Sequence, residues 1–415
     1  MNRAKPFSIS KGQVWEAYKR VKANHGAAGV DGQTIGQFEN NLNDNLYKLW
    51  NRMSSGSYQA PPVKRVEIPK GNGGVRPLGI PTVSDRIAQM VVKQFLEPEL
   101  EKHFHVDSYG YRQGKSAHEA IGRARERCWK SDWVLDLDIK GFFDNIPHDL
   151  MMQAVRHHTS EKWVLLYVER WLKAAVQLPD GSMQARDKGT PQGGVISPLL
   201  ANLFLHYAFD LWMKRTYPTI PFERYADDGI CHCQTREDAE HLKGALEVRF
   251  RECGLELNAE KTKIVYCRDS NRREEYENIS FDFLGYTFRP RRSKNGDGGF
   301  FVSFSPAMSN RAGKAIRQEI RKWNLCGRSG STLEEMAREC NAQIRGWINY
   351  YGAYYKSQLY PTLKQIDRKL MLWATRKYKN LKGHKRRARQ LITEIAHRTP
   401  SLFAHWSLLY GKVEQ

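Results

Sequence analysis

The chain has 415 residues, enough for two or three domains of roughly 100–200 residues each, and its 40% hydrophobic and 11% aromatic content excludes a disordered polymer. It carries 66 Lys+Arg against 45 Asp+Glu; the net charge of +21 points to a polyanion, most often nucleic acid, with an acidic membrane surface or mere solubility as the plainer readings. Seven scattered cysteines form no CxxC pair, no run approaches the roughly 18 apolar residues of a membrane span, and Met1-Asn-Arg-Ala-Lys-Pro has no apolar signal core. Zinc, disulfides and membrane insertion are therefore not indicated, and reduced thiols inside a cell fit best.

In chain order, Ser10 is placed to cap a helix with the stripe Val14, Tyr18 and Val21, ending at Asn24-His25-Gly26. The segment Asn24–Gly32 has three glycines and reads as a backbone-governed loop. A second helical stretch would bury Phe38, Leu42, Leu46, Leu49 and Trp50 before Pro61-Pro62 breaks it. Val63 to Ile68 and Val75 to Ile80 read as paired strands about the glycine-rich turn Gly71-Asn72-Gly73-Gly74. Lys70 and Arg76 bracket its tip, where they suit a polyphosphate or simply face solvent. After a helix from Ser84 to about Leu100, the loop Phe104–His118 mixes aromatics with Arg112 and Lys115. It fits stacking on a single strand, or equally a buried Tyr pair with surface cations.

Trp133 to Ile139 reads as a strand with Leu135, Leu137 and Ile139 on one face and Val134, Asp136 and Asp138 on the other. Asp is disfavoured in strands, so two on one face need a reason, and a metal ion is one. Phe142 and Phe143 follow in a turn, either below a sugar ring or in the core. A helical region to about Val176 leads to the Gly/Pro-dense loop Lys188–Pro198, which leaves Gln192 available to a ligand, and then to an apolar helix from Leu199 to Leu211. In Phe222–Cys233 the adjacent Asp227 and Asp228 fall at a hairpin-like turn; taken alone, this is a polar turn or half of a metal site. Next come a helix from Arg236 to Cys253, a short strand after Gly254, a turn bearing Lys261, another strand, and a hairpin at Phe281–Phe288. Composition shifts near Arg289–Lys294, and from about 307 the pattern is helical. Leu333, Met336, Cys340, Ile344, Trp347 and Tyr351 trace one face; Leu363, Ile366, Leu370 and Trp373 trace another. Between Lys364 and Arg389 stand eleven Lys or Arg and one Asp, a nucleic-acid-binding module or a solvated face.

Asp138 at a strand end and Asp227-Asp228 at a hairpin tip supply three carboxylates from two strands. Hard oxygen ligands of this kind suit two Mg²⁺ ions, and with Lys70 and Arg76 on a triphosphate they make the parts of a nucleotidyl transfer.

These motifs carry a resemblance. Tyr225-Ala-Asp-Asp228, with Leu137-Asp-Ile-Lys-Gly-Phe-Phe-Asp144 before it, resembles the active site of a reverse transcriptase. Gly189-Thr-Pro-Gln-Gly-Gly194 with Ser197-Pro-Leu-Leu-Ala-Asn202, Ile68-Pro-Lys70 with Arg76-Pro-Leu-Gly-Ile-Pro81, Ser108-Tyr-Gly-Tyr-Arg112 and Phe283-Leu-Gly285 are similar to further motifs of group II intron reverse transcriptase/maturases. So are Ile344–Tyr351 and Trp373 with Gly383-His384, all in the expected order. The resemblance implies an α+β right hand: fingers in 1–115, palm in 116–290, a helical thumb/maturase region in 291–395, and a short tail in 396–415. It implies Asp138, Ile139, Asp227 and Asp228 as ligands of two Mg²⁺ (Mn²⁺ as substitute), the three aspartates being catalytic. Lys70, Arg76, Phe143 (a steric gate) and Gln192 would take the dNTP. Asn24, Gly26, Arg112, Lys115, Lys261, Arg376, Lys377, Lys385, Arg386 and Arg387 would contact template or intron RNA. The implied partners are group II intron RNA, an RNA template, a DNA primer or target and dNTPs, with no membrane. The implied setting is the cytoplasm, at the nucleoid of a bacterium. The paired-cysteine endonuclease signature of many members is missing before Gln415, so priming is expected from a nicked or replicating strand. A domesticated enzyme of DNA repair or phage defence, and a mainly RNA-binding splicing cofactor, are the alternatives.

Overall fold

The computed structural model describes residues 5–69 and 74–411. The chain divides into two compact units: Met1–Ala120 with Val134–Ile264, and Ile121–Trp133 with Val265–Gln415.

In the first unit, the helix Lys11–Ala23 begins with a reciprocal cap between Ser10 and Gln13 and buries Val14, Ala17, Tyr18 and Val21. The expected second helix is two, Ile35–Glu39 and Leu42–Ser55, because Thr34 and Gln37 cap the first separately. Leu42 and Trp50 are half-buried there rather than core. The Trp50 indole N–H donates to the Ile9 carbonyl at 2.7 Å, which holds its polar edge at the rim. Strands β1 (Val63–Pro69) and β2 (Val75–Ile80) pair antiparallel from Lys64↔Ile80 to Pro69↔Val75. With β3 (Trp133–Leu137), β4 (Val176–Gln177) and β5 (Met183–Gln184) introduced, the first sheet has the order β2-β1-β4-β5. Strands β6 (Phe222–Tyr225), β7 (Asp228–Cys233) and β8 (Lys263–Tyr266) give a second sheet, β6-β7-β3-β8. Two expectations change. The apolar helix starts at Ser197, runs to Leu205 and widens into a π-helical turn over His206–Asp210. The strand expected after Gly254 is reduced to one bridge, Leu257 to Ile139, because the Leu255 N–H turns back to the Phe250 carbonyl at 2.7 Å.

In the second unit, β9 (Phe281–Phe283), β10 (Tyr286–Lys294) and β11 (Phe300–Met308) form a sheet in the order β11-β10-β9. The cationic stretch Arg289–Lys294, which reads as a boundary in sequence, is therefore strand. It is anchored by Tyr286 and Phe288 in the core and paired residue for residue with β11. The helices Asn310–Lys322, Leu333–Tyr351, Tyr360–Lys377 and Lys385–Arg398 then pack on one core that includes Ile316, Met336, Ile344, Leu363, Ile366 and Trp373. Residues 396–411 are no loose tail. Phe403 and Trp406 are fully buried in that core, and the helix Ala404–Tyr410 aims three donors at Asp367. His405 Nε2, Trp406 Nε1 and the Tyr410 hydroxyl lie 2.8–2.9 Å from its carboxylate. Phe403, Trp406 and Tyr410 do stand at helical spacing, but the helix spans only seven residues, too short a window for its period to be distinctive in sequence.

Candidate active site

Tyr225 pairs with Asp228, so Ala226 and Asp227 form a two-residue hairpin loop. Such loops need positive φ at their first residue, and Ala226 adopts +57°. A side-chain-bearing residue there costs about 1–2 kcal/mol, so the surroundings must hold it. They do so through Arg224, which is buried. Its Nη1 donates to the Ala226 carbonyl at 2.9 Å and to Asn202 at 3.0 Å, its Nη2 to the Ser108 hydroxyl at 2.8 Å, and its Nε and Nη2 to the two oxygens of buried Asp210 at 2.7 and 2.6 Å. Asn202 donates in turn to the Gly110 carbonyl at 2.7 Å. Gly110 lies so close to the loop that a Cβ on it would collide with the Ala226 nitrogen. The π-helical turn is what swings Asp210 onto Arg224.

Asp138 follows directly on β3. The Asn258 N–H donates to the Asp138 carbonyl at 2.8 Å and the Lys140 N–H to the Glu256 carbonyl at 2.9 Å. These bonds bracket Ile139, whose own carbonyl takes no part in the pair. Lys261 Nζ lies 3.2 and 3.3 Å from the two carboxylate oxygens of Asp138. Burial raises Asp227 above its ordinary value, and the Asp138 charge adds to the shift. Desolvation, then Asp227 and Asp138, push Asp228 up to about 6. Asp228 as a residue meets solvent; crowding of protein and like charge around its carboxylate is what disfavours ionisation.

A second wall comes from the loop 189–194. Gly189, at φ +79°, donates to the Ile146 carbonyl and Thr190 to the Phe143 carbonyl, both at 2.7 Å. A Cβ on Gly189 would meet the Phe143 and Asp144 carbonyls at 2.7 Å, so only glycine allows this approach. From the other side, the Gly79 N–H on β2 donates to the Gln192 carbonyl at 2.6 Å. Arg76 Nε then donates to Gln192 Oε1 at 2.9 Å, joining a cation on β2 to the loop.

A family model of reverse transcriptase (RNA-dependent DNA polymerase) matches residues 68–288, and one of the group II intron maturase-specific domain matches residues 313–391. The chain belongs to the group II intron reverse transcriptase/maturase family. It is 32% identical to Protein YkfC of Escherichia coli over 68% of this chain and 81% of that protein. It is 27% identical to group II intron-encoded protein LtrA of Lactococcus lactis over 81% of this chain and 68% of that one. A solved telomerase from Candida albicans, in complex with a fragment of telomeric RNA, aligns over 91% of this chain and 68% of its own with a TM-score of 0.47 and 13% identity.

Within this reverse transcriptase, the first unit brings together Asp138, Asp227, Asp228, Arg76, Gln192 and Phe143; Lys70 lies outside the described residues. Phe143 is only 6% exposed and stands edge-on to Phe142 at 5.3 Å. Three of the residues expected at RNA make contacts within the chain. The Arg112 side chain is 6% exposed and is spent on Glu101 (2.5 and 2.8 Å) and on the carbonyls of His105 and Ser108. Lys115 donates to the Val106 carbonyl at 2.8 Å. Lys261 faces Asp138 and so belongs to the carboxylate site. Asn24 and Gly26 are exposed on a loop that Arg86 holds through the carbonyls of His25 (3.1 Å) and Ala27 (2.9 Å). In the second unit, Lys385, Arg386 and Arg387 are exposed, while Arg376 and Lys377 also bond the Cys326 and Ser331 carbonyls.

The sequence reading missed Arg224, Asp210, Arg86 and Tyr111. Tyr111 is half exposed at φ +59°, and its hydroxyl feels the charges of Arg76, Asp227 and Asp228. The available signal was a charge at an apolar position: Arg224 inside a strand and Asp210 at the end of an apolar helix must be paired if buried.

Replacing Asp210 with Asn strands the Arg224 charge, and stability measured by denaturant unfolding should fall by about 3–5 kcal/mol; a loss below about 1 kcal/mol would remove the pair from its anchoring role. For Asp228 the sign is reversed. A folded pKa near 6 against an ordinary 3.8 means that ionisation opposes folding, with the penalty absent below pH 4 and complete above pH 6. In EDTA, Asp228→Asn should therefore raise Tm at pH 7.5, and the gain should vanish near pH 4. A Tm gain independent of pH would refute this electrostatic origin.

Proposed function

We propose that the first unit adds dNTPs to a DNA primer on an RNA template by a two-metal mechanism, and that the second unit binds group II intron RNA to assist splicing and retrohoming. The observation that carries the first part is the placement of Asp138, just beyond β3, next to β7 and the hairpin that bears Asp227 and Asp228, where burial and then the neighbouring carboxylates disfavour ionisation. Among the described residues there is no ready-made cluster of three or more His, Cys, Asp or Glu ligands. An open set of hard carboxylate oxygens fits Mg²⁺, which keeps several waters and shares substrate phosphates. Asp138, Asp227, Asp228 and the Ile139 carbonyl would hold the ions. Bound there, Mg²⁺ would activate the primer 3′-hydroxyl and neutralise charge on the departing pyrophosphate.

The chain's own residues do the rest. Arg76 and Lys70 balance the triphosphate charge, and the bond to Gln192 fixes the Arg76 fork in direction. Lys261 compensates Asp138 until substrate and ions arrive. Phe143, pinned through its carbonyl to Thr190, offers a fixed edge against a ribose 2′-hydroxyl. RNA binding is supported by the segment 379–389, with Lys379, Lys382, Lys385, Arg386, Arg387 and Arg389 exposed. The helix Lys385–Arg398 opens on three cations with no acid in its first turn. Cations there oppose the helix dipole, by about 0.3–1 kcal/mol each, and phosphate groups would relieve the conflict. The protein would act in the cytoplasm, at the nucleoid of a bacterium.

Asp227→Asn should lower cDNA synthesis by more than about two decades while intron RNA affinity, measured by filter binding, stays within about twofold; retained synthesis would sink the assignment. Phe143→Ala should relax discrimination against ribonucleotides by about tenfold or more in single-nucleotide insertion, and unchanged selectivity would move the gate to another residue.

A further inference from the structure

A groove of about 700 Å³ opens in the second unit between Arg125 with Trp129, the β10–β11 hairpin, and Ala353–Tyr355. Residues 289–308, most of its hairpin, lie between the two segments that match the family models, while Arg125, Trp129 and Ser270 fall within the first and Ala353–Tyr355 within the second. The size lies within the roughly 300–1,000 Å³ of ligand-binding clefts.

The groove is built from aromatic faces that the core leaves open. Trp129 is 44% exposed and Phe301 42%, beside Tyr355. They are held in place. The Trp129 indole donates to the Phe304 carbonyl and the Tyr355 hydroxyl to the Arg292 carbonyl, each at 2.8 Å. Ser270 clamps Val302 from both sides, its N–H donating to the Val302 carbonyl at 3.0 Å and its hydroxyl accepting from the Val302 N–H at 2.7 Å. Exposed rings that are fixed rather than loose are stacking platforms.

The charge around them is mostly positive. The Arg125 guanidinium lies 4.3 Å from the Trp129 ring centre and 5.6 Å from that of Tyr354. Lys294 stands on the groove wall. The acid lining the groove, Asp269, is spent on Arg272, with bonds of 3.0 and 2.5 Å. Hydroxyls of Ser293, Ser303 and Ser305 run in a row, 2.9 Å from one to the next.

We propose that this groove is a second RNA site, which takes an unpaired nucleotide of single-stranded RNA together with its flanking phosphates. A duplex hides its base faces and does not match open rings. An acidic peptide would meet the cations but leave the flat faces uncovered. The row of hydroxyls suits a ribose, whose 2′-hydroxyl both donates and accepts. The inference rests on the second unit being RNA-binding and is independent of the carboxylate chemistry in the first.

The test uses the full chain saturated with a non-extendable RNA–DNA template–primer duplex, titrated with fluorescein-labelled U₈ RNA and read by anisotropy. Wild type should bind the octamer, and the double variant Lys294→Glu, Phe301→Ser should bind at least tenfold more weakly. Its Tm and its primer extension on a short template should match wild type. No octamer binding to duplex-saturated wild type, or equal binding by the variant, would overturn the site. Equal binding of dT₈ would overturn the choice of RNA, and equal binding of a Glu₈ peptide would reduce the site to charge alone. Because extension is read separately, failure of this site leaves the polymerase reading standing, and loss of extension alone leaves the groove standing.

Discussion

The geometry of the β6–β7 hairpin depends on one buried guanidinium. Arg224 uses all five of its N–H donors, on Asp210 twice, Asn202, Ser108 and the Ala226 carbonyl. Burying a charge costs several kcal/mol unless its partner and every donor are satisfied, so the arrangement tolerates few alternatives. What it fixes is relative position. A π-helical turn, the helix that begins at Ser197, the Ser108–Tyr111 segment and the β6–β7 hairpin are held to one another, and Ala226 is kept at its unfavourable φ. Asp227 and Asp228 take their placement from this scaffold and from the pairing of Asp228 with Tyr225.

Against that scaffold the carboxylates stand in deliberate conflict. Asp85 and Asp228 are both pushed up to about 6, yet for different reasons. Asp85 is fully buried, and three donors, Tyr58, Gln89 and Trp171, partly offset its desolvation at 2.7–2.9 Å. It joins elements of the core, and its perturbation is structural. Asp228 is raised also by like charges, in a place that solvent and substrate reach. Only the second kind of perturbation would be relieved by bound cations, which is what ties it to the proposed chemistry.

Much of the site was legible because its chemistry needs particular residue types at short spacing. Two aspartates in a hairpin, a third at a strand end and a Gly-rich loop with Gln192 are local patterns. What was misread has equally physical causes. Arg112 looked like a surface cation because nothing local shows that Glu101 and two carbonyls surround it. Nothing local shows that Lys261 meets Asp138, which is more than a hundred residues away in sequence. The cationic β10 looked like a boundary because its pairing with β11, rather than its own composition, makes it a strand.

The sequence by itself determined the family and the helical faces of the second unit, and it pointed to the carboxylates and cations of the candidate site. Those follow from residue identity and from periods of two and 3.6 residues, which local chain geometry enforces. Only the tertiary structure decided which charges are tools and which are fasteners. Arg76 and Arg112 are the same residue type near similar motifs; one reaches Gln192 beside the carboxylates and the other is enclosed. A side chain's role depends on how much water and which partners remain to it, and those are set by segments distant in sequence that meet only when the chain folds.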